Sequence, residues 1–247
     1  MEKVKISIIT VSYNSEKTIR RTIESVLGQI YSPCEYIIVD GLSTDMTVKI
    51  AEEYRDRFAV KGIKYLILSE KDKGIYDAMN KGIGIATCEL IGMINSDDWY
   101  QQDALQIVAD TYEAQHFDTM YADLNLVKTD GTVILKKARI RKYMTTRDWN
   151  HPTMFVRKQI YERLKYNTDN LYADYDMYMK IRKSGYNVTV VNKPIANFTT
   201  GGVSNEKSIR GIKNRIRYRY ENYRHNGYSR WYIFESIFME LAKALIA

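Results

Sequence analysis

The 247-residue sequence predicts an α/β fold, a Rossmann-like and mostly parallel central sheet flanked by helices, followed by a C-terminal amphipathic helical tail. Three observations predict it. Short β-branched runs alternate four times with helical patterns as far as Gln115, the rhythm of a parallel sheet closed by right-handed crossovers. One of these runs, residues 90–100, drives an apolar strand directly into two adjacent carboxylates, Asp97 and Asp98. Within residues 205–231, eight basic side chains stand against only Glu206 and Glu221, so nearly all of the formal net charge of +7 belongs to the end of the chain.

Residues 5–12 are a β-branched run, Asn14 and Ser15 are cap candidates, and Ile19, Ile23, Val26 and Leu27 follow at helical spacing. The unit recurs as strand 36–40 before helix 44–58, strand 63–69 before helix 75–86, and strand 89–95 before helix 101–115. After Phe117 the rhythm changes. Strand 119–127, the turn signal Asp130-Gly131 and a returning strand over 132–136 predict a hairpin that joins the sheet. Residues 137–150 are basic and aperiodic, a long loop of the kind that is more often functional than idle. Residues 152–156 read as a strand, 172–183 as a helix and 187–191 as another strand. From Ser204 the pattern is helical to the end, which divides the chain into a domain over 1–204 and a basic tail over 205–247.

A hydrophobic content of 45% suffices for a real core, and no internal repeat or low-complexity segment appears. The sequence pI near 9.1 points to an anionic partner without separating nucleic acid, membrane surface and phosphorylated substrate. Cys34 and Cys88 have no CxxC or histidine spacing that would signal zinc, and read as buried or idle thiols. The N-terminal apolar run is too short for a signal peptide, so a reducing, cytoplasmic location is expected. The sequons at Asn187 and Asn197 carry no weight without secretion.

Candidate chemistry sits at strand ends. Asp97 and Asp98 follow a strand's C-terminal end, where open α/β sheets bind ligands, and a carboxylate pair there suits a hard divalent cation shared with a phosphate. An Mg²⁺ or Mn²⁺ nucleotide site is one reading; a cap for the helix expected from Gln101 is the other. Thr10, Ser12, Tyr13 and Asn14 end the first strand and offer hydroxyls, a ring and an amide to a nucleotide. Asp40 ends the second, placed to accept hydrogen bonds from a base or ribose. After the third strand comes Gly74, and Asp77, Asn80 and Lys81 then share one helical face, where a plain Asp77–Lys81 surface pair is the alternative. No P-loop is present, and Gly82-Ile-Gly84 falls at a helix end, which weakens the NTPase and dehydrogenase readings.

Six segments in this order resemble the large family 2 glycosyltransferases with the GT-A fold, over roughly residues 6–204. They are Ser7-Ile-Ile-Thr-Val-Ser-Tyr-Asn14, Ile38-Val-Asp-Gly-Leu-Ser-Thr-Asp45, Asp72-Lys-Gly-Ile-Tyr-Asp-Ala-Met-Asn-Lys-Gly82, Asn95-Ser-Asp-Asp98, His151-Pro-Thr-Met-Phe155 and Asp174-Tyr-Asp-Met-Tyr-Met-Lys180. The flavour is that of bacterial enzymes that build surface polysaccharides. The resemblance implies that Asp40 reads the base, that Asp97, with Asn95 and Ser96 beside it, contacts ribose or second-shell metal ligands, and that Asp98 coordinates Mn²⁺ or Mg²⁺ on the diphosphate. Asn95 stands where an aspartate is commoner, and Met79 where an arginine is often found, so phosphate or sugar contacts there would pass to Lys81 or Lys73.

The same resemblance makes Asp174 the general base of an inverting single displacement, with Asp176 as its rival. Both would also be favoured simply as carboxylates at a helix N-terminus. His151 before Pro152 is biased to extended backbone, as an acceptor or phosphate contact or as a structural histidine. Gly201 and Gly202 would lie in an element closing over the diphosphate, or in a plain loop. The implied donor is a nucleotide-sugar, UDP ahead of GDP, and the acceptor a glycan or polyprenyl-linked sugar.

In the tail, Ile209, Ile212, Ile216, Tyr220 and Tyr223 fall at helical spacing beside a basic stripe of Arg210, Lys213, Arg217 and Arg224. Residues 231–247 are apolar but interrupted by Glu235, Glu240 and Lys243, and are shorter than the ~20 residues that span a bilayer. The tail is expected to lie peripherally on an anionic membrane surface, or to pack on the catalytic domain or on a homodimer partner. Nucleic acid is not the expected partner. The competing functions are a non-catalytic RNA-binding or membrane-adaptor protein acting through the tail, and a nucleotidyltransferase.

Overall fold

The computed structural model describes residues 3–200 and 208–246. Its first half is the expected parallel sheet, β1 (Ile6–Ser12), β2 (Glu35–Asp40), β3 (Lys64–Ser69) and β4 (Leu90–Met93), in the order β3-β2-β1-β4. The crossovers are α1 (Ile19–Leu27), the pair α2 (Thr47–Glu52) and α3 (Arg55–Val60), and α4 (Ile75–Ile85). Because the chain runs outward from β1 to β3 and then returns to pair β4 on the other side of β1, the strand order reverses between β1 and β4. That reversal opens a crevice at the strands' C-terminal ends.

The second half is mixed. It comprises β5 (Trp99–Tyr100), α5 (Ala104–Gln115), β6 (Thr119–Val127), β7 (Val133–Lys136), β8 (Phe155–Arg157), α6 (Lys158–Leu164), α7 (Ala173–Lys183) and β9 (Val188–Thr199). β8 pairs antiparallel with both β4 and β6, β9 runs parallel to β6, and β5 closes the far edge against β9. The predicted hairpin exists as β6–β7.

Alternation along β1 divides the core. Ile6 and Ile8 pack with Ile19, Ile23, Phe58 and Val108 on one face, whereas Ile9 and Val11 pack with Met79, Ile83 and Tyr178 on the other. All eleven are at most 7% exposed, and each such burial is worth about 1.5–3 kcal/mol.

Four boundaries differ from the sequence reading, each for a physical reason. The helix expected over 44–58 breaks at residues 53–54, and Tyr54 in the turn and Phe58 one helical turn after it are both buried. The helix after the carboxylate pair begins at Ala104 rather than Gln101, because Trp99 and Tyr100 are taken up by β9. β9 continues past Val191 to Thr199, with Pro194 next to a register shift, where a missing N–H costs no ladder bond. The strand expected over 152–156 begins as a 3₁₀ turn at His151–Thr153, and α6 follows it unannounced.

The tail forms α8 (Ile209–His225) and α9 (Tyr232–Ile246). The inner side of α8 is fastened to α7: Asn222 Nδ2 donates to the Tyr172 carbonyl at 2.9 Å, and the hydroxyls of Tyr175 and Tyr223 meet at 3.0 Å. Arg210, Lys213, Arg217 and Arg224, the stripe read from the sequence, are exposed. Among the described residues no helix is long and apolar enough to cross a membrane.

Candidate active site

The ends of β1 and β2 form the floor of the crevice. Asp40 is fully buried, and its carboxylate accepts hydrogen bonds from Ser12 Oγ at 3.0 Å, Ser69 Oγ at 2.9 Å, the Ser43 amide at 2.8 Å and the Ser43 hydroxyl. One side chain thus ties together three strand ends. Asn14 caps no helix. It takes a left-handed conformation (φ 47°), and its Oδ1 accepts the Thr44 N–H at 2.9 Å, lacing the loop after β1 onto the loop after β2. Ser15 continues that lacing to Ser96, whose hydroxyl is 2.7 Å away, so the ends of β1 and β4 are joined. Tyr13 stands exposed on the rim, while Thr10 lies below the floor with its hydroxyl bonded to Tyr36.

Asp97 and Asp98 lie in the turn after β4. Asp98 Oδ1 accepts the Thr199 N–H at 3.0 Å, which pins the end of β9, and neither carboxylate caps α5. Asp98 Oδ2 and Asn95 Oδ1 are buried without a partner among the described residues. Burial, and then the charge of Asp97, push the Asp98 carboxyl well above the usual carboxylate range; burial also raises Asp97. Arg21 lies beside them, its guanidinium 3.6 Å from the Trp99 ring centroid and donating to the Asp97 carbonyl at 2.8 Å. An unpartnered buried carboxylate oxygen is costly unless something cationic or hydrogen-bonding arrives. No three His, Cys, Asp or Glu side chains form a closed cation cage among the described residues. One or two carboxylates shared with phosphate oxygens are nonetheless a sufficient set for a small divalent cation, and Asp97, Asp98 and the Asn95 carbonyl fit it.

The third wall is the start of α4. Gly74 adopts φ 116°, a conformation costly for any side chain, and its N–H donates to Asp72 Oδ1 at 2.8 Å. A Cβ on Gly41 would lie 2.6 Å from Asp72 Oδ2, so the loops after β2 and β3 touch through a glycine. Asp77 accepts the Lys73 N–H at 3.0 Å. Lys81 takes Glu70 at 2.8 Å and the Lys71 carbonyl at 2.8 Å, with Asp77 more distant at 3.8 Å. Asn80 grips the backbone of Tyr166 from both sides, at 2.9 and 3.0 Å.

Asp174 begins α7. Its Oδ1 accepts Tyr76 Oη at 2.9 Å and the Tyr175 N–H at 2.8 Å, and Oδ2 has no partner among the described residues. Tyr76 stacks on Tyr166 at 5.6 Å between centroids, and Tyr166 Oη lies 3.2 Å from His151 Nε2. Burial lowers the His151 imidazole below its ordinary value, against a smaller opposing pull from Asp174. Asp176 faces elsewhere: it is buried, paired with Lys180 at 2.6 Å and bonded to Asn226, the residue after α8, at 2.6 Å.

The structure therefore gathers Ser12, Tyr13, Asn14, Asp40, Ser96, Asp97 and Asp98 on one linked rim, joins Gly74, Asp77, Asn80 and Lys81 to it, and connects Asp174 and His151 through Tyr76 and Tyr166. Thr10 is buried with its hydroxyl on Tyr36, Asp176 is turned to Lys180 and Asn226, and Gly201 and Gly202 lie outside the described residues. Sequence reasoning missed Arg21 and Thr199, whose contacts exist only because β5 and β9 pair. It also missed Tyr76 and Tyr166, although Tyr76 adjoins Asp77.

Comparison with known proteins points the same way. The family described as glycosyl transferase family 2 matches residues 7–184. Chondroitin synthase of Escherichia coli is 28% identical over 189 residues, 73% of this chain and 27% of that protein. The chain spans only about a quarter to a half of the length of the first curated relatives it matches. Among solved structures, S. aureus TarS 1-349 in complex with UDP-GlcNAc superposes with a TM-score of 0.69 at 20% identity, covering 96% of this chain and 71% of that one. The mannosyltransferase PcManGT from Pyrobaculum calidifontis, in complex with GDP-Man and Mn²⁺, gives 0.68 at 16% identity, covering 100% and 76%. These likenesses bear out the GT-A fold.

Proposed function

The chain belongs to glycosyl transferase family 2, and from that premise we propose that it is an inverting glycosyltransferase of surface-polysaccharide assembly. It moves a sugar from a nucleotide-sugar, UDP-linked in preference to GDP-linked, to a glycan or lipid-linked acceptor. The observation that carries this reading is the buried Asp98 Oδ2, without a partner among the described residues, at the point where the strand order reverses, with Asn95 Oδ1 of the same turn equally without one. The UDP-GlcNAc and GDP-Man complexes of the structural neighbours support a nucleotide-sugar in this crevice.

In this reading Asp40 organises the floor on which base and ribose rest, and Asp98, with Asp97 and Asn95, would hold a divalent cation. Bound there, it would supply neutralisation of the charge on the departing diphosphate. Asp174 Oδ2 takes the proton of the acceptor hydroxyl as that oxygen bonds to the anomeric carbon and the bond from carbon to diphosphate oxygen breaks. Attack opposite the leaving group inverts the anomeric centre. A positioned base contributes roughly 10²- to 10⁴-fold, and Tyr76, bonded to Oδ1, fixes which oxygen faces the acceptor.

The test is nucleoside diphosphate release from a panel of UDP- and GDP-sugars with glycan and polyprenyl-phosphate-linked acceptors, with the product anomer read by NMR. Transfer with inversion is the expected result. Release of pyrophosphate from a nucleoside triphosphate and a sugar phosphate would instead mark a nucleotidyltransferase.

A further inference from the structure

Helix α9 is built inside out. Glu240, 4% exposed, turns inward to Arg215 at 2.7 Å and Arg219 at 2.9 Å, and Glu235 accepts a hydrogen bond from Thr145 Oγ1 at 3.2 Å. Outward stand Trp231, Phe234, Phe238 and Leu241, 59–64% exposed, with Ile237 beside them at 37%, recurring at the spacing of one helical face. A helix facing water arranges these groups the other way round. Such an apolar stripe marks an interaction surface.

The surroundings identify the occupant. Arg230 lies 5.7 Å from the Trp231 ring and Arg147 5.4 Å from the Phe238 ring. The adjoining loop, residues 137–147, holds five basic residues and no acidic one, exposes Ile140 and Tyr143, and is fastened to α9 by a 3.2 Å bond from the Met144 N–H to Tyr232 Oη. Arg141 answers Asp148 of its own chain, but Asp148 is buried, so the outer surface keeps its positive sign. A second copy docked about a two-fold axis would bring these cations against their own equivalents. An anionic bilayer meets both the apolar stripe and its basic flanks.

We propose that this face docks on an anionic membrane surface, with Trp231, Phe234, Phe238 and Leu241 inserted at the boundary of headgroups and acyl chains. The sequence pattern made residues 209–224 a basic amphipathic helix and residues 231–247 the apolar run that meets a membrane or protein. Part of the apolar side of α8, Tyr223 above all, is buried against α7, and the exposed apolar side chains stand on and just before α9. The inference stands on this surface alone and needs no transfer chemistry.

The experiment is flotation of the full chain with vesicles of phosphatidylcholine alone and with one-third phosphatidylglycerol, alongside light scattering of the free protein. The wild type is expected to float with the anionic vesicles, less so in raised salt, and to remain behind with the neutral ones. The double variant Phe234→Ser/Phe238→Ser, which leaves every inward partner in place, is expected to weaken anionic binding by about tenfold or more, as the lost apolar area requires. Vesicle-induced blue shift of tryptophan emission, absent in Trp231→Phe, would report insertion. Absence of binding, equal binding to both vesicle types, or undiminished binding by the double variant would overturn the proposal. So would a dimer that the same substitutions dissociate while vesicles capture nothing.

Discussion

Tyr76 donates its hydroxyl to Asp174 Oδ1 at 2.9 Å, joining two residues 98 positions apart in the chain. Burial, and next the charge of Asp174, hold the Tyr76 hydroxyl well above its ordinary range, so it remains a donor at every working pH. With the Tyr175 N–H on the same oxygen, both bonds orient one side of the carboxylate and leave the other available. Tyr76→Phe keeps the stack on Tyr166 and removes this bond together with the weaker 3.2 Å contact of the same hydroxyl to the Leu171 carbonyl. It is expected to lower kcat by about tenfold, the equivalent of a charge-assisted hydrogen bond of about 1.4 kcal/mol, with donor affinity unchanged. Steady-state kinetics beside donor titration check it, and equal losses in both would assign Tyr76 to donor binding instead.

Asp174→Asn is expected to bind donor as the wild type does while losing transfer by roughly 10²- to 10⁴-fold. Asp176→Asn should do the reverse. Its pairing with Lys180 lies within α7 and its bond to Asn226 ties α7 to the end of α8, so it loses about 1–3 kcal/mol of stability in urea unfolding while the folded fraction keeps its turnover. Retained transfer by Asp174→Asn would move the base elsewhere.

Asp98→Asn is expected to raise the melting temperature at pH 7. The asparagine Oδ1 can still accept the Thr199 N–H, and the cost of burying a carboxylate with one oxygen lacking a partner among the described residues is gone. A site shaped for function commonly holds such instability, and its removal stabilises the fold. A variant that melts lower would mean that the carboxylate already has a compensating partner.

His151 carries a pH dependence. The fold favours its neutral imidazole, whereas the unfolded chain takes up a proton near pH 6.5. The unfolded state therefore binds more protons below that value. This contribution is fully present above pH ~6.5 and is lost as pH falls toward the depressed folded value. As pH falls below ~6.5 the wild type should lose more stability than His151→Asn, read from thermal melts of both proteins. Parallel losses would contradict the assignment.

The first half of the fold was legible because its signals are local: β-branched runs ending in polar turns, followed by helical spacing. Asp40, Asn14, Ser96 and Asp98 could be chosen from the sequence because strand ends in such a sheet converge. What they do for the fold could not. Asp40 secures three strand ends, and Asn14 is a lace between loops rather than a cap. β9 was cut short because Asn192-Lys193-Pro194 reads as a turn when the register shift beside it is unknown. Arg21 and Thr199 had no local signal at all, since both reach the Asp97–Asp98 turn only after β9 and β5 pair. The inward turn of Glu235 and Glu240 was equally hidden, because their partners lie on the loop before Asp148 and on α8.

The central claim is that the crevice at Asp98 takes a nucleoside diphosphate together with a divalent cation. Calorimetric titration of UDP and of GDP into the wild type and Asp98→Asn, each with Mn²⁺ and with chelator, tests it most directly. Manganese-dependent binding of UDP, weaker binding of GDP, and a loss of more than about tenfold, or 1.4 kcal/mol, in Asp98→Asn are expected. Binding that ignores chelator and the Asp98 substitution alike, or no binding of either nucleotide, would contradict it.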